Sequence, residues 1–485
     1  MIDTSRFDLR NMWTLPGGEL CVRPGLVNFR AAVSNEEIVA GFSVRGQYAD
    51  RINHYLVIFD TSTSNNHHTK IVVFDEEFQQ LQSLPVSNTK PRVVTHAVVT
   101  GELIISSPDF PTVSGYTGGG ITVAEKVSIA DRATINIPQG ICASWNGRCV
   151  IADGERLFIS DAAMPRTYTS AGIVALEGHI YGLHVTPGGG LVAITGNGVW
   201  GLGADAAAAG PEIIGIIDNI SDHSANNYGQ SALVRNQLHA LTGRGLKRID
   251  RGQEETPLSD ATMSRSVAEM INFPDYRIGK VFAGRKGPII SMPGEDSVCM
   301  FDLTRGIRSW WQPETTEGTL DIVGVLYEDD DNELLVDKSR IYAFYGNTED
   351  GDDHTTTGGI KPTGSMAGRV PTPPEASPVV RSVTTSSDNG SRVQKAAIRG
   401  LDKTKTTPTP VSSGFSTRTD GIVLTQSPST MWGDGREYRS RELKSLRFLF
   451  SRRTDDVTVE VGATQALSRV GLVDVKTGGQ GRNRP

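Results

Sequence analysis

The chain has 485 residues and a mass of 52.2 kDa, with 53 glycines, 24 prolines, only 32 aromatic residues and a formal charge of −7. At 38% hydrophobic and 21% charged it can bury a substantial core, and without 18 consecutive apolar residues or a strict glycine period it is neither a helical membrane protein nor collagen-like. Four cysteines (Cys21, Cys142, Cys149 and Cys299) form no CxxC pair, which excludes a disulfide framework and a zinc knuckle and leaves reduced, mostly buried thiols of a cytoplasmically made chain.

The opening MIDTSRFDLR has no basic stretch followed by an apolar one, so no secretory signal is expected. From about 38 to 346 a texture repeats. Short apolar or β-branched runs alternate with Gly, Asp, Asn or Ser turns. The runs are 55–59 (YLVIF), 70–74 (KIVVF), 102–105 (ELII), 157–159 (LFI), 191–195 (LVAIT), 198–202 (GVWGL) and 237–242 (QLHALT). They continue at 288–291 (PIIS), 298–302 (VCMFD), 333–336 (ELLV) and 340–345 (RIYAFY). LVAIT-GNG-VWGL and LHALT-GRG-LKRID read as hairpins, with Asn197-Gly198 and Arg244-Gly245 at the bends. Helical periodicity is scarce, and only 259–271 and 75–82 are expected to be helical. The chain is therefore expected to be all-β.

Hairpin-centred units begin near 38, 92, 140, 178, 229, 276 and 320. That spacing of roughly 40–50 residues is the period of four-stranded propeller blades. The expectation is a 38–346 β-propeller of about six or seven blades, preceded by an N-terminal segment at 1–37. There is no WD dipeptide and no kelch double glycine to name a repeat family.

Residues 347–420 are Thr, Ser, Pro and Gly-rich with almost no aromatics, the composition of a linker or of an extended arm lying on another surface. Beyond it, 421–475 reads as a small β domain packed on the propeller, with KSLRFLF and DVTVEV as an alternating antiparallel pair, and 476–485 as a tail. Charge divides with this organisation. Residues 361–485 hold 20 basic and 11 acidic side chains, and residues 1–360 hold 28 and 44, so +9 stands against −16. Such a split predicts two regions that touch each other or an identical neighbour.

The acidic run Glu328-Asp329-Asp330-Asp331-Asn332-Glu333 lacks the D-x-D-x-D-G calcium spacing and reads as a solvated hairpin tip. Asp350, Asp352, Asp353 and His354 read the same way. His67 and His68 share a loop but point apart, and no third metal ligand can be named. No GxSxG, HExxH or GxxxxGK[ST] occurs, and the Gly118-Gly119-Gly120 and Gly188-Gly189-Gly190 runs are turns rather than phosphate cradles. No aromatic platform marks a carboxylate pair for glycoside hydrolysis, since Trp310-Trp311 reads as a packed strand. The Asn219-Ile220-Ser221 sequon has no meaning without secretion. No enzyme activity, catalytic residue, metal or cofactor is expected. Arg436, Arg439, Arg441, Lys444, Arg447, Arg452 and Arg453 lie close together, and the natural use of such a cluster is an acidic partner protein.

Three stretches resemble tailed-bacteriophage structural proteins. Asn11-Met12-Trp13, Gly17-Gly18-Glu19-Leu20 and Arg23-Pro24-Gly25-Leu26 are similar to their N-terminal opening. Gly147-Arg148-Cys149-Val150-Ile151-Ala152, Arg156-Leu157-Phe158-Ile159-Ser160-Asp161 and Pro165 resemble a blade pattern of that family. Gly190–Trp200, as GLVAITGNGVW, resembles the hairpin of the next blade. The family is that of β-propeller tail proteins, notably the nozzle of short-tailed phages and related tail hubs; the 347–420 insertion has no counterpart there.

The resemblance implies a structural virion protein of the tail, synthesised in the host bacterial cytoplasm. Copies would form a ring, a hexamer in the nozzle family, continuing the genome-ejection channel. Partners would be other tail proteins (adaptor, fibres or spikes) and double-stranded DNA passing without sequence-specific contacts. No membrane-spanning segment is expected. An acidic wall suits such a conduit, because a basic wall would hold phosphates by counterion release. Lys395, Arg399, Lys403, Lys405, Arg436, Arg439, Arg441 and Lys444 are the expected oligomer-interface residues, laid against an acidic neighbour. The alternative function is a carbohydrate-binding or glycan-cleaving propeller, which needs a polar, aromatic-lined central pocket.

Overall fold

The computed structural model describes most of residues 7–343, with its longest interruptions at 205–210, 219–226, 250–278 and 312–319, and beyond 343 the backbone of the strands lying between 363 and 478. Among the described residues every regular element is a strand, so the protein is all-β, and no helix is long and apolar enough to cross a membrane. The chain divides into two compact units. One comprises 1–28, 297–319 and 344–485, the other 29–296 and 320–343.

The larger unit is a succession of antiparallel meanders. The first is Glu36–Arg45, Ile52–Asp60, Thr69–Phe74 and Gln80–Ser87; the second Thr95–Val99, Glu102–Ser107, Phe110–Tyr116 and Ile121–Val123. The third is Ile141–Trp145, Arg148–Asp153, Arg156–Asp161 and Met164–Ala175; the fourth Ile180–Val185, Leu191–Thr195, Gly198–Ala204 and Pro211–Asp218. Ser231–Val234, Gln237–Thr242 and Gly245–Ile249 form a three-stranded sheet, and Lys280–Ala283 pairs with Pro288–Ser291. Ile322–Tyr327, Glu333–Asp337 and Arg340–Ala343 follow, and in sheet order Val27–Ala31 lies beside Arg340–Ala343.

Successive sheets stack face to face, and the alternation of side chains within a strand states this directly. Leu103 and Ile105 join Phe42, Val57 and Ile71 of the first meander, whereas Ile104 between them joins Cys149 and Ile151 of the third. Val150 and Ala152 turn the other way, onto Leu183 and Ala193. Val192 and Ile194 in turn meet Leu238 and Ala240. Each central strand is thus apolar on both faces. This is why LVAIT and YLVIF read as unbroken hydrophobic runs rather than as a period of two. Each fully buried Leu, Ile or Val contributes about 1.5–3 kcal/mol.

Leading strands of neighbouring meanders are also tied together. The Cys142 N–H donates to Thr95 Oγ1 at 2.7 Å, and the Trp145 indole N–H to the Gly189 carbonyl at 2.8 Å. His184 Nε2 and Ser231 Oγ are 2.8 Å apart. The Val281 N–H donates to Gly229 O at 2.7 Å, the Ile322 N–H to Ser291 Oγ at 2.9 Å and the Tyr327 N–H to Ser43 Oγ at 2.9 Å. Phe42 stacks on His96 with centroids 4.1 Å apart. Gly324 meets Gly41 across a single parallel bridge between Ile322–Tyr327 and Glu36–Arg45.

The smaller unit carries two sheets. In one, the order is Val298–Asp302, Ile307–Trp311, Phe7–Arg10, Thr363–Arg369, Asp456–Ala463, Ser391–Arg399, Gly421–Thr425 and Gly414–Arg418. The other runs Met12–Thr14, Leu20–Val22, Arg469–Val470, Val379–Ser387 and Lys444–Arg453, with Asp474–Gly478 also paired to Val379–Ser387. Several expectations change here. The polar 347–420 stretch contributes strands, because its Thr and Val residues are β-branched and find long partners in register. KSLRFLF and DVTVEV lie in different sheets rather than pairing together. The 1–37 segment supplies three short strands to this unit, Phe7–Arg10, Met12–Thr14 and Leu20–Val22.

The expected helix at 75–82 is a turn leading into Gln80–Ser87. Asp75 Oδ1 accepts the N–H groups of Glu77 and Gln79 at 3.1 and 2.7 Å, which diverts them from helical pairing. Phe78 takes a φ of 58° and stacks on His54 at 4.3 Å. Its apolar spacing with Leu81 imitated a helix face. The expected helix at 259–271 lies outside the described residues. The hairpin bends also move by one residue: Thr195 pairs with Gly198 and Thr242 with Gly245, so both glycines begin strands.

Burial of His54 has a pH consequence. Its Nδ1 lies 2.9 Å from Ser43 Oγ, whose oxygen also accepts the Tyr327 N–H. Burial lowers its pKa to about 4, against a smaller opposing pull from Asp75. Burial does the same at His184, also to about 4. His96 reaches about 4 as well, although more than a third of its surface is open; water at that surface screens it, so it contributes less to stability. A lowered folded pKa gives stability that is complete above the unfolded value of about 6.5 and is lost as pH falls toward 4. The melting temperature is expected to fall across that window, with up to about 3 kcal/mol from His54. Imidazole NMR titrations should place His54 and His184 near the lower end; normal titration near pH 6.5 would contradict the burial.

Candidate functional site

Antiparallel register puts one set of turns beside the start of each leading strand. Ser106 pairs with Thr95, Ile141 with Ala152, Ile180 with Thr195 and Ile322 with Asp337. Asp109, Asp153, Asn197 and Lys338 therefore share an end of the larger unit with Arg92, His179, Tyr228, Lys280 and Asp321. That end gathers several of the described aromatic and charged side chains.

Tyr228 organises one half. Its hydroxyl is 2.6 Å from His179 Nε2, its ring is edge-on to Tyr181 at 5.5 Å, and the Arg92 guanidinium lies 5.6 Å from its centroid. His179 and Tyr181 are 4.6 Å apart and both half-buried. Arg92 is locked from its far side by Asp109, 3.0 Å from Nη2, while the Asp109 carboxylate also accepts the Arg92 backbone N–H at 2.7 Å. The Asp109 hydrogen bond holds Arg92 above its ordinary pKa. Burial raises the Tyr228 hydroxyl, Arg92 opposes, and Tyr181, Asp109 and Asp153 add to the rise. Asp153 and Asn197 are exposed at the rim.

The other half is ionic. Lys90 pairs with Glu37 at 2.7 Å and Lys338 with Asp321. Lys280 stands between these pairs, its stem packed on Gly229, where a Cβ would meet Lys280 Cγ at 3.5 Å. Burial pulls the Lys280 ammonium below its ordinary value; Lys338 and Lys90 add to this, and Asp321 and Glu37 oppose it. Among the described residues it has neither a hydrogen bond nor a carboxylate within 4.0 Å.

The positions singled out in the sequence fare differently. Lys395 and Arg399 lie in Ser391–Arg399, where register sets Lys395 opposite Thr425 and Glu460, and Arg399 opposite Gly421. Lys444 begins Lys444–Arg453, opposite Ser387. Lys403, Lys405, Arg436, Arg439 and Arg441 lie outside the described residues, as do His67, residues 328–332 and the Asp350 to His354 group. His68 is exposed and bonds Asn88 at 2.7 Å. Glu333, expected at a solvated tip, is instead buried, accepts the Arg285 N–H at 3.0 Å and is raised in pKa by burial. Cys142, Cys149 and Cys299 are buried free thiols; burial pushes Cys142 up to about 12 and Cys149 well above its ordinary value. Among the described residues no three His, Cys, Asp or Glu side chains are placed to hold a metal. The Arg92, His179, Tyr181, Tyr228 and Lys280 group was not found from sequence. Its one signal was position, since the unit starts at 92, 178 and 229 fall on or beside three of its members.

No protein-family model matches the chain, and no curated protein sequence does. Among solved structures it is similar to YCF48 bound to D1 peptide, at 10% identity and a TM-score of 0.39, covering 68% of this chain and 96% of that one. YCF48 from Cyanidioschyzon merolae gives 8% and 0.40, covering 65% and 97%. A streptogramin B lyase gives 13% and 0.34, covering 70% and 98%. With TM-scores of 0.40 and below, these likenesses assign the chain neither a family nor an activity.

Proposed function

We propose that residues 27–343 form a seven-bladed β-propeller and that the chain is a structural, ring-forming protein of a bacteriophage tail, continuing the channel through which DNA leaves. The propeller reading is supported by the two-faced stacking of consecutive sheets and by ties between leading strands, which run from Glu36–Arg45 through each meander to Ile322–Tyr327 and return at Gly41 and Gly324. Val27–Ala31 supplies the fourth strand of the last blade, pinning the beginning of the propeller to its end. Lys280–Ala283 and Pro288–Ser291 begin the sixth blade.

The observation that carries the tail reading is where the resemblance to phage tail proteins falls. Its opening residues converge in one buried clasp of the smaller unit. Arg23, 1% exposed, donates from Nε to Asn11 Oδ1 at 2.8 Å and from its backbone to Asn11 O at 2.8 Å. The Asn11 N–H donates to Trp310 O at 2.7 Å, Met12 N–H to Ser309 Oγ at 3.0 Å, and Trp13 packs edge-on against Trp311 at 4.9 Å. The blade pattern behaves likewise: buried Ser160 accepts the Cys149 N–H at 2.9 Å.

Assembly through opposite charges, −16 in 1–360 and +9 in 361–485, makes a salt-dependent ring. Light scattering at low ionic strength should give six subunits of 52.2 kDa. Near 1 M salt, where screening shortens to about 3 Å, the mass should fall toward one subunit. A single subunit under both conditions would contradict the proposal.

A further inference from the structure

The end of the larger unit that carries Arg92 and Lys280 has the makings of a ligand site independent of ring assembly. Four features converge there. Tyr181 and His179 present half-buried rings, held by Tyr228 from behind through one edge contact and one hydrogen bond. Arg92 is fixed twice, by Asp109 and by the Tyr228 face, while its side chain stays 61% exposed. Lys280 has no counter-ion within 4.0 Å among the described residues. Exposed Asp153 and Asn197 complete the rim with a carboxylate and an amide.

We propose that this end binds a saccharide bearing carboxylate groups, stacked on Tyr181 and anchored through an acid group by Lys280. A sugar ring offers an apolar C–H face and a periphery of hydroxyls that both donate and accept. Aromatic rings beside mixed carboxylate, amide and guanidinium groups match both features. An acidic group on the sugar completes the set, because a desolvated lysine without a partner gains most from a charge-assisted hydrogen bond. An acidic peptide would satisfy the two cations but would leave the ring platform and the Asp153 acceptor unused. Tyr181 and Lys280 themselves sit on strands, in Ile180–Val185 and Lys280–Ala283, which preorganises them.

The test is calorimetric titration of the full chain. Tetragalacturonate and sialyllactose serve as acidic saccharides, galactotetraose and lactose as neutral counterparts, and tetraglutamate as an acidic peptide. At least one acidic saccharide should bind about tenfold or more tightly than its neutral counterpart and than tetraglutamate. Lys280→Met, which keeps the packed stem, should erase that advantage, and Lys280→Arg should largely keep it. Tyr181→Ala should weaken acidic and neutral sugars together, and it decides the question if Lys280→Met fails to fold as judged by near-UV circular dichroism. No saccharide binding at millimolar concentration, equal or tighter binding of tetraglutamate, or an unchanged affinity in both Lys280→Met and Tyr181→Ala would overturn the proposal. None of these outcomes depends on whether the chain forms a ring, which light scattering reads separately.

Discussion

Gly324→Ala is expected to destabilise the larger unit by about 3 kcal/mol or more, the upper range for overpacking a rigid core. A Cβ at Gly324 would stand 2.2 Å from Gly41 O and 2.6 Å from Gly41 N, and both are backbone atoms. Neither can rotate away as a flexible side chain would. Gly41 has no room to retreat, since a Cβ there would lie 2.9 Å from Val336 and 3.1 Å from Leu56. The strand register through Tyr327 and Ser43 fixes the same approach from the other side. Gly147→Ala is the control. Gly147 has a φ of 70° but nothing within 4 Å of a Cβ, so its cost is the left-handed backbone alone, about 1–2 kcal/mol. Urea unfolding of both variants separates contact from conformation. A Gly324→Ala cost no larger than that of Gly147→Ala would mean that the leading strands of the first and last meanders do not meet.

Trp311→Ala should cost about 3–5 kcal/mol in the smaller unit, the usual range for deleting a buried indole. Trp311 is fully buried, packs against Trp13, lies 5.9 Å from the Arg23 guanidinium and donates its indole N–H to Met12 O at 3.1 Å. Removing it leaves a cavity and an unpaired carbonyl, and Met12–Thr14 loses its packing. Hydrogen exchange at the Phe7–Arg10 and Met12–Thr14 amides should accelerate with the loss of stability. Trp311→Phe keeps most of the packing and drops one hydrogen bond, for about 1 kcal/mol. Equal effects of the two variants, or unchanged exchange at the first strands, would contradict the clasp.

What was legible from sequence followed from local physics. LVAIT, YLVIF and VCMFD announced strands because both of their faces are buried, leaving no polar positions to break the run. Hairpins with two-residue loops were legible to within a residue. The 75–82 segment misled because Phe78 and Leu81 are spaced as on a helix, while the deciding groups, the Asp75 carboxylate and the His54 ring, act through one side-chain turn and one long-range stack. Val27–Ala31 could not be placed, since its neighbour Arg340–Ala343 lies some 300 residues away and no local signal names a partner. The 347–420 stretch was read by polarity, but Thr and Ser strands are held by backbone pairing that composition does not reveal. The Arg92, Tyr228 and Lys280 group was hidden for the same reason as the closing strand. Its members are single residues brought together only by the stacking of sheets.

Opposite charges in two parts of one chain and a succession of stacked meanders underlie the proposal that copies of this chain close into a ring around a channel. Negative-stain imaging of the full chain at low ionic strength tests it most directly. The account predicts closed rings, six-fold in projection, with a central hole wide enough for duplex DNA. A field of lone compact particles, or rings whose centre is filled by protein, would contradict it.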